Sequence, residues 1–463
     1  MAIKSISMQV KISNIGVTSD KISGRGGLFF ILRYIENIHI YQLFEKYFVF
    51  LKSSQKGLSF TQFLKQVFAF FIDGTDMSMT SFDRRKSDEA YTALLENTSK
   101  QMASSHQIKR FFRKFIPVGN WLFRKILLHL FIWRLRIEQP NIIILFGDTM
   151  VLNNDDADKR QGVEPTYKRK KGFHPMQISW GPYLVDALFR TGSVHCNHGT
   201  DFIKAVTRLT QAIRKKYRDV PIILLSDSGF MDDDNFCFFE EHLKIHYICS
   251  GKFYDDIKQY VTQLPVHTFS TYNQFWQYIE FGNRLKSWET FRRCIFTTLT
   301  TEENGQMILE FARPDNLIYT NIGQNKLLDE KLIQAGGQKY LSPEGIIELN
   351  HQKGKGELVH RSEKEFATKE QLPFEQLGMN RAYYYFMVIS HFLYEAYKRD
   401  VAYDILPVTS YPNTFRRVLV DFAAKIVSNG GKRILKVTQH IFDKLNIQGL
   451  WVRIGTPQPV LLI

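Results

Sequence analysis

Apolar residues recur at helical spacing through the first third of the chain. Leu28–Phe50 shows this spacing, and a second helix is predicted from Ser59 to Ile72, just before an Asp-Gly pair. Ser104 and Ser105 are good capping residues and predict the start of a third helix. We therefore expect residues 1–140 to form a helical N-terminal domain.

From Asn141 the pattern changes to short apolar runs separated by polar loops. Asn141–Gly147 and Pro221–Ser226 are β-rich runs of the kind that forms buried strands. Thr200–Tyr217 is amphipathic and predicts a helix between them. Residues 141–252 are therefore expected to form the first part of an α/β core.

The second half of the chain predicts an insertion, a return to the core and a tail. Residues 253–335 are rich in Thr, Tyr, Phe and Trp and predict a β-rich insertion, with strands at Gln277–Phe281, Cys294–Leu299 and Met307–Phe311. In 336–400, one helix is predicted to start at Ser342-Pro343 and to carry Glu357, and Asn380–Lys398 predicts an aromatic core helix. Residues 401–463 are expected to form a helical and tail region, with a basic helix at Thr414–Ile426.

Composition narrows the class of protein. With 463 residues, 44% hydrophobic and 23% charged, the chain suits a soluble globular protein of several domains. Its formal net charge of +15 favours a polyanionic partner. No apolar stretch approaches the ~20 residues that a membrane span requires. The four cysteines form no CxxC pair, so we expect a reducing, cytoplasmic setting.

Two basic segments are candidate DNA contacts. Residues 101–140 contain eight Lys or Arg and one acidic residue, and the predicted helix within them carries Lys109, Arg110 and Arg113. Such a skew favours contact with the DNA backbone over an ordinary solvated face. Lys168, Arg169 and Lys171 lie in a loop that either follows phosphates or is simply solvated.

Three carboxylates are the most informative residues. Asp148 and Asp227 each end a predicted strand, whereas Glu357 lies in a predicted helix. Two carboxylates at strand ends and a third on a helix can hold a pair of divalent ions, which clamp the attacking and leaving oxygens of a phosphodiester. This arrangement predicts phosphoryl-transfer chemistry on nucleic acid.

The predicted helix around Glu357 carries other polar groups. At ~100° per residue, Asn350, Lys353 and Lys364 fall on the same face as Glu357. This face either binds metal and DNA phosphate together or is a surface helix with ordinary ion pairs. Gly354 and Gly356 disfavour a regular helix just before Glu357, by roughly 1 kcal/mol each.

In order and spacing, these blocks resemble those of the DDE-type insertion-sequence transposases, in the group 1 DDE domain subgroup marked Tyr-x2-Arg-x3-Glu-x6-Lys. Besides the three carboxylates and Lys364, the resemblance rests on Gly26-Gly-Leu28, Lys171-Gly-Phe-His-Pro175, Arg190-Thr-Gly192, Ser226-Asp-Ser-Gly-Phe230, Tyr319-Thr-Asn321, Leu372-Pro373 and Asn380. It covers nearly the whole chain and implies an α/β fold with an RNase H-like core, a mixed β-sheet flanked by helices. The basic skew of residues 101–140 adds the expectation that the helical N-terminal domain binds DNA.

The resemblance assigns roles residue by residue. It implies that Asp148, Asp227 and Glu357 are the catalytic, metal-binding triad for two Mg²⁺ ions, with Mn²⁺ as a substitute. Lys364 matches the motif lysine and, like Asn350 and Lys353, is expected to contact DNA. Two positions depart from the pattern, because Asn350 stands at the motif Tyr and Lys353 at the motif Arg. Lysine keeps the charge but loses the bidentate fork of arginine.

The implied function is cut-and-paste transposition by strand cleavage and transfer at terminal inverted repeats. The implied partners are double-stranded DNA, as element ends and target, and a second copy of the chain. The implied location is the bacterial cytoplasm, at the nucleoid. Two alternatives stay open, an RNase H-like nuclease without strand transfer and a non-catalytic DNA-binding protein derived from a transposase.

Overall fold

The structure is a computed structural model that describes residue 12 and residues 14–51, 57–299, 302–303, 306–307, 315–366 and 370–460. For residues 266, 302, 303, 306, 307 and 355–357 the description covers the backbone only. The predicted strand Met307–Phe311 therefore lies mostly outside the described residues.

The helices of the described residues fall into an N-terminal group, a central group and a C-terminal group. They are α1 (Leu28–Asn37), α2 (Ile40–Phe48), α3 (Phe60–Asp73), α4 (Ser81–Ser87), α5 (Glu89–Leu94), α6 (Ser105–Arg113), α7 (Asn120–Glu138), α8 (Asp201–Lys216), α9 (Asp233–Cys237), α10 (Asp255–Gln263), α11 (Lys326–Gln334), α12 (Pro343–His351), α13 (Gly354–Lys364), α14 (Leu377–Asp400), α15 (Pro412–Phe415), α16 (Gln439–Lys444) and α17 (Ile447–Gly455).

Most strands lie between α7 and α12. They are β1 (Lys21–Ser23), β2 (Ile143–Thr149), β3 (Leu152–Asn153), β4 (Glu164–Pro165), β5 (Lys171–Phe173), β6 (Met176–Trp180), β7 (Tyr183–Leu188), β8 (Ile222–Ser226), β9 (His246–Ser250), β10 (Ser270–Thr271), β11 (Trp276–Asn283), β12 (Arg292–Leu299), β13 (Glu302–Glu303), β14 (Gln306–Met307), β15 (Asn316–Thr320), β16 (Ala424–Asn429) and β17 (Lys432–Lys436).

One large mixed sheet organises the molecule, with the strand order β10-β11-β12-β15-β9-β8-β2-β6-β7. The strands β2, β6 and β7 form an antiparallel meander, and β8 and β9 add to β2 in parallel. This five-strand part has the RNase H-like arrangement. The mixed α/β fold expected from the sequence is confirmed.

The strands predicted in 253–335 extend this sheet. Strand β15 pairs antiparallel with β9, β12 with β15, and β11 with β12. The predicted pieces Gln277–Phe281 and Cys294–Leu299 correspond to β11 and β12. The β-rich segment is therefore hydrogen-bonded to the edge of the core sheet.

Different helices cover the two faces of the sheet. On one face Phe202 of α8 lies against Gly147, where an added Cβ would meet the phenyl ring at 2.6 Å. On the other face Ile223 and Leu225 of β8 pack with Ile346 and Ile347 of α12. Side chains alternate along a strand. Phe146 and Asp148, which flank Gly147 on β2, therefore point away from α8 and towards the face that α12 covers.

The helical predictions for the N-terminal part are confirmed by their capping contacts. Ser59 caps α3 with a capping box to Gln62, and Gly74 ends this helix in the left-handed conformation at φ 60°. Ser104 caps α6 in the same way. The aromatic helix α14 is buried along nearly its whole length, as expected for a core helix.

The C-terminal part differs from the prediction. The basic helix expected at Thr414–Ile426 is confirmed only in its first half, because α15 continues as a π-helix over Arg416–Val420 and strand β16 then begins at Ala424. Strand β16 pairs antiparallel with β1, near the other end of the chain. Beside this pair, Gly27 approaches Leu419 so closely that an added Cβ would lie 1.5 Å from the Leu419 carbonyl oxygen.

Every described helix is too short or too polar to span a bilayer.

Candidate active site

Asp148 and Asp227 lie side by side at the ends of adjacent parallel strands. In the register of β2 and β8, Gly147 is the partner of Ser226, so each aspartate is the next residue along its strand. The sequence predicted two strand-end carboxylates, and the parallel pairing brings them to one edge of the sheet.

The charge of Asp148 is unfavourable in this position. Its side chain is 17% exposed. Burial, and then the nearby charge of Asp227, raise the pKa of Asp148 to about 7. Lysines 353 and 168 act in the opposite direction. A carboxylate held in this way favours a compensating cation.

Lys353 makes a contact that the sequence did not predict. The helix expected to run from Ser342-Pro343 through Glu357 is wrong as one piece, because α12 ends at His351 and α13 starts at Gly354. From the connecting turn, Nζ of Lys353 lies 3.1 Å from Oδ1 of Asp227. It also donates to the Ser226 carbonyl oxygen at 3.1 Å and to the Ser250 hydroxyl. The side chain is only 11% exposed.

His360 is a second residue at the carboxylate pair that sequence reasoning missed. Its Nδ1 lies 3.4 Å from Oδ2 of Asp148. Burial lowers the pKa of His360 to about 4, with Lys364 contributing, so the ring is neutral near pH 7. The available signal was its spacing, since a residue three positions after Glu357 lies on nearly the same helix face.

Glu357 itself is in α13, between Lys353 and His360 in sequence. Those two neighbours reach Asp227 and Asp148, so the backbone of α13 passes both aspartates near Glu357. The described side chains do not include that of Glu357. Among the side chains that are described, no three of His, Cys, Asp or Glu form a metal-binding group. The triad therefore stays a prediction at its third member.

The two remaining residues of the predicted helix face form neither a hydrogen bond nor an ion pair with the described side chains of Asp148 and Asp227. Asn350 is buried in α12, at 4% exposure. Lys364 forms an ion pair with Glu370, with Nζ 2.9 Å from the carboxylate oxygen. Neither is in contact with Asp148 or Asp227 through these interactions, and the proposed DNA contacts of both residues remain predictions.

The predicted basic residues are on the surface. Lys109, Arg110 and Arg113 are exposed on α6. Lys168, Arg169 and Lys171 are exposed at and beside the turn between β4 and β5, and Lys171 pairs with Asp158 at 3.0 Å. Lys168 is near enough to the site to lower the pKa of Asp148.

A cavity of about 490 Å³ adjoins the two aspartates. Its lining also includes Tyr167, His174 and Cys196. Nδ1 of His174 lies 2.7 Å from the Val194 carbonyl oxygen, and burial lowers the pKa of this histidine. The ring is therefore neutral and donates through Nδ1.

Arg190 holds the wall of this cavity together. Its guanidinium donates to the carbonyl oxygens of His174, His195 and Cys196, each at 3.2 Å. Two blocks that are separate in the sequence, Lys171–Pro175 and Arg190–Gly192, thus meet beside the carboxylate pair. This contact gives the two blocks a shared structural role.

The sheet topology and the paired aspartates define an α/β protein with an RNase H-like core and an acidic site at its strand ends. A family model described as "Transposase DDE domain group 1" matches residues 6–455. The chain belongs to this transposase family. The resemblance seen in the sequence is thereby confirmed.

Other comparisons add less. No curated protein matches the chain significantly. Among solved structures, a piggyBac transposase synaptic complex with hairpin DNA, determined by cryo-EM, is similar at 12% sequence identity and a TM-score of 0.39. The match covers 94% of this chain and 83% of that one.

Proposed function

We propose that the protein is a transposase that excises and inserts an insertion sequence by metal-dependent cleavage and joining of DNA at terminal inverted repeats. Family membership supports the reaction class. The observation that carries the proposal is the side-by-side placement of Asp148 and Asp227 at the ends of β2 and β8. The active-site roles of these residues are part of the proposal.

The donor set suits divalent ions such as Mg²⁺ or Mn²⁺. Both aspartates offer hard oxygen ligands, and burial and then the charge of Asp227 raise the pKa of Asp148, which a bound cation would offset. Asp148, Asp227 and Glu357 would hold two such ions. Once bound, the ions supply activation of a hydroxyl nucleophile and stabilisation of the leaving oxygen.

The neighbouring residues prepare the carboxylates. Lys353 fixes the Asp227 carboxylate through its ammonium group and anchors the start of α13 on the strand ends. His360 contacts Asp148 as a neutral ring, so it adds no positive charge that would compete with a cation. Together they keep both carboxylates ordered at one edge of the sheet.

DNA binding is proposed for the basic surfaces. The exposed Lys109, Arg110 and Arg113 on α6 and the exposed Lys168 and Arg169 near the site supply charge for phosphate contacts. The net charge of +15 acts in the same direction. Because two element ends must be processed together, we propose that the DNA complex contains two copies of the chain.

The decisive experiment is a cleavage assay. Its substrate is DNA that carries the inverted repeats flanking the gene, incubated with Mg²⁺ and wild type, Glu357→Gln or Asp227→Asn. We expect wild type alone to cut at the repeat ends and both variants to bind the DNA normally. Cleavage by either variant would refute the triad.

A second substrate separates the alternatives. Precleaved ends with a free 3′-OH are offered together with target DNA. Joined products support a transposase, whereas hydrolysis without joining supports a nuclease. Binding without any metal-dependent turnover supports a non-catalytic DNA-binding protein.

A further inference from the structure

Helix α13 is held on the strand ends by polar contacts along its length. Lys353, just before its first turn, reaches Asp227, and His360 in the middle reaches Asp148. Near its C-terminal end, Glu363 meets Gln177 of β6. The last contact has no part in the proposed metal site, and neither Gln177 nor Glu363 belongs to the blocks that identify the family.

Gln177 is placed directly beside the site. In the antiparallel pairing of β2 and β6, it is the partner of Asp148, so both side chains point to the same face of the sheet. Its Nε2 donates to Oε1 and Oε2 of Glu363 at 2.9 and 2.8 Å, and contacts the Tyr384 hydroxyl at 2.6 Å. All three side chains are buried.

This buried carboxyl is unfavourable for stability. Burial raises the pKa of Glu363 to about 8. Apolar side chains of similar size often stabilise such positions as well or better, and polar groups that persist there can instead specify one arrangement of the neighbouring elements. We therefore expect the buried pair of Gln177 and Glu363 to have a role other than adding stability.

Helix α13 has few other features that fix its orientation on the sheet. It starts with Gly-Lys-Gly, and glycine is a poor helix former. Among its described side chains, Val359 is the apolar one that is buried, alongside Ser362 and Glu363. Apolar packing therefore does little to fix the rotation of α13 about its own axis, and polar contacts must do so.

We propose that Gln177 and Glu363 are positioning residues whose buried pair fixes the rotation and seating of α13 and so brings Glu357 to Asp148 and Asp227. At 100° per residue, positions 357, 360 and 363 follow one another at 60° intervals along one side of the helix. A slip of one residue would turn Glu357 by about 100°. This inference rests on the proposed role of Glu357.

The test compares disruption with exchange of the pair. Glu363→Leu and Gln177→Leu remove the contact, whereas the double variant Gln177→Glu/Glu363→Gln restores it with the partners reversed. Gln66→Leu, which removes a buried glutamine amide from α3, is the matched control. For each variant we would measure hydrogen exchange of residues 354–364 and single-turnover DNA cleavage across Mg²⁺ concentrations. DNA affinity and melting temperature are measured alongside.

The expected pattern is specific to positioning. Both leucine variants should bind DNA normally and stay folded at the assay temperature, yet show faster exchange in α13, cleavage slowed by about 10- to 100-fold and a higher Mg²⁺ requirement. The exchanged pair should recover exchange protection and cleavage, and Gln66→Leu should leave both unchanged.

Two results would overturn the inference. One is leucine variants with wild-type exchange in α13. The other is a loss of melting temperature that accounts for the lost activity and is not reversed by exchanging the pair. Should wild type itself fail to cut DNA, the proposed function fails, but the exchange of α13 still decides whether the pair seats this helix.

Discussion

Nζ of Lys353 lies 3.1 Å from Oδ1 of Asp227, at the position where the family motif has arginine. The lysine therefore turns its charge inward to the acidic pair. Because this side chain is mostly buried, its ammonium group interacts mainly with the Asp227 carboxylate and little with solvent.

Replacing Lys353 should slow catalysis more than it weakens DNA binding. In Lys353→Met the stem is kept and the ammonium is lost, so Asp227 loses its counter-ion, and we expect at least a tenfold slower cleavage. DNA affinity and its salt dependence should be nearly unchanged in fluorescence anisotropy at several salt concentrations. A salt slope reduced by about 1 would show instead that Lys353 contacts a phosphate.

The basic face of α6 should behave in the opposite way. If Lys109, Arg110 and Arg113 each neutralise a phosphate, replacing all three by alanine should reduce the slope of log affinity against log salt by about 2.7. Cleavage at saturating DNA should be retained. A variant that removes equal charge from the exposed Lys215, Lys216 and Arg218 is the control, and an equal effect there would argue against a specific face.

Asp148 should destabilise the protein when no divalent ion is present. Since its pKa is raised to about 7, the ionised form is unfavourable at pH 8, and Asp148→Asn should raise stability by on the order of 1–3 kcal/mol. Added Mg²⁺ should stabilise wild type but not the variant in calorimetry. The exposed Asp219→Asn serves as a control, and a Mg²⁺ response retained by Asp148→Asn would contradict the metal assignment.

Glu363 should make stability depend on pH in a defined direction. Its pKa is raised to about 8 by burial, so the folded state binds this proton more tightly than the unfolded state. The contribution of protonated Glu363 to the free energy of unfolding is therefore fully present below about pH 4.5 and is lost as pH rises towards 8. The free energy of unfolding of Glu363→Gln, measured by denaturant titration, should fall less steeply with rising pH than that of wild type, by up to about 1.4 kcal/mol per pH unit. Parallel curves would refute this.

The parts of the fold that depend on local pattern could be predicted from the sequence. The run that ends at Asp148 is apolar and β-rich, and Ser59 and Gly74 are good caps for α3. Parallel pairing then places Asp148 and Asp227 together, as the position of each at a strand end indicated.

The parts that depend on distant contacts could not be predicted in this way. The break between α12 and α13 accompanies contacts of Lys353 with β8 and β9, more than 100 residues earlier in sequence. The spacing of His360 from Glu357 indicates a nearby position on the helix, but only the seating of α13 brings its ring to Asp148. The helix that follows Tyr411 ends at Val420, and the residues from Ala424, which also have helical composition, form a strand because they pair with β1.

That pairing also sets when the small sheet of β1, β16 and β17 can form. Strand β1 ends at Ser23, and its partner β16 starts at Ala424. At translation rates of about 5–20 residues per second, roughly 400 residues separate the two, so β1 waits on the order of 20–80 s for its partner. A ribosome that stalls before β16 leaves β1 without its native neighbour, so this pair of strands can form only after the residues from Ala424 onward have been synthesised.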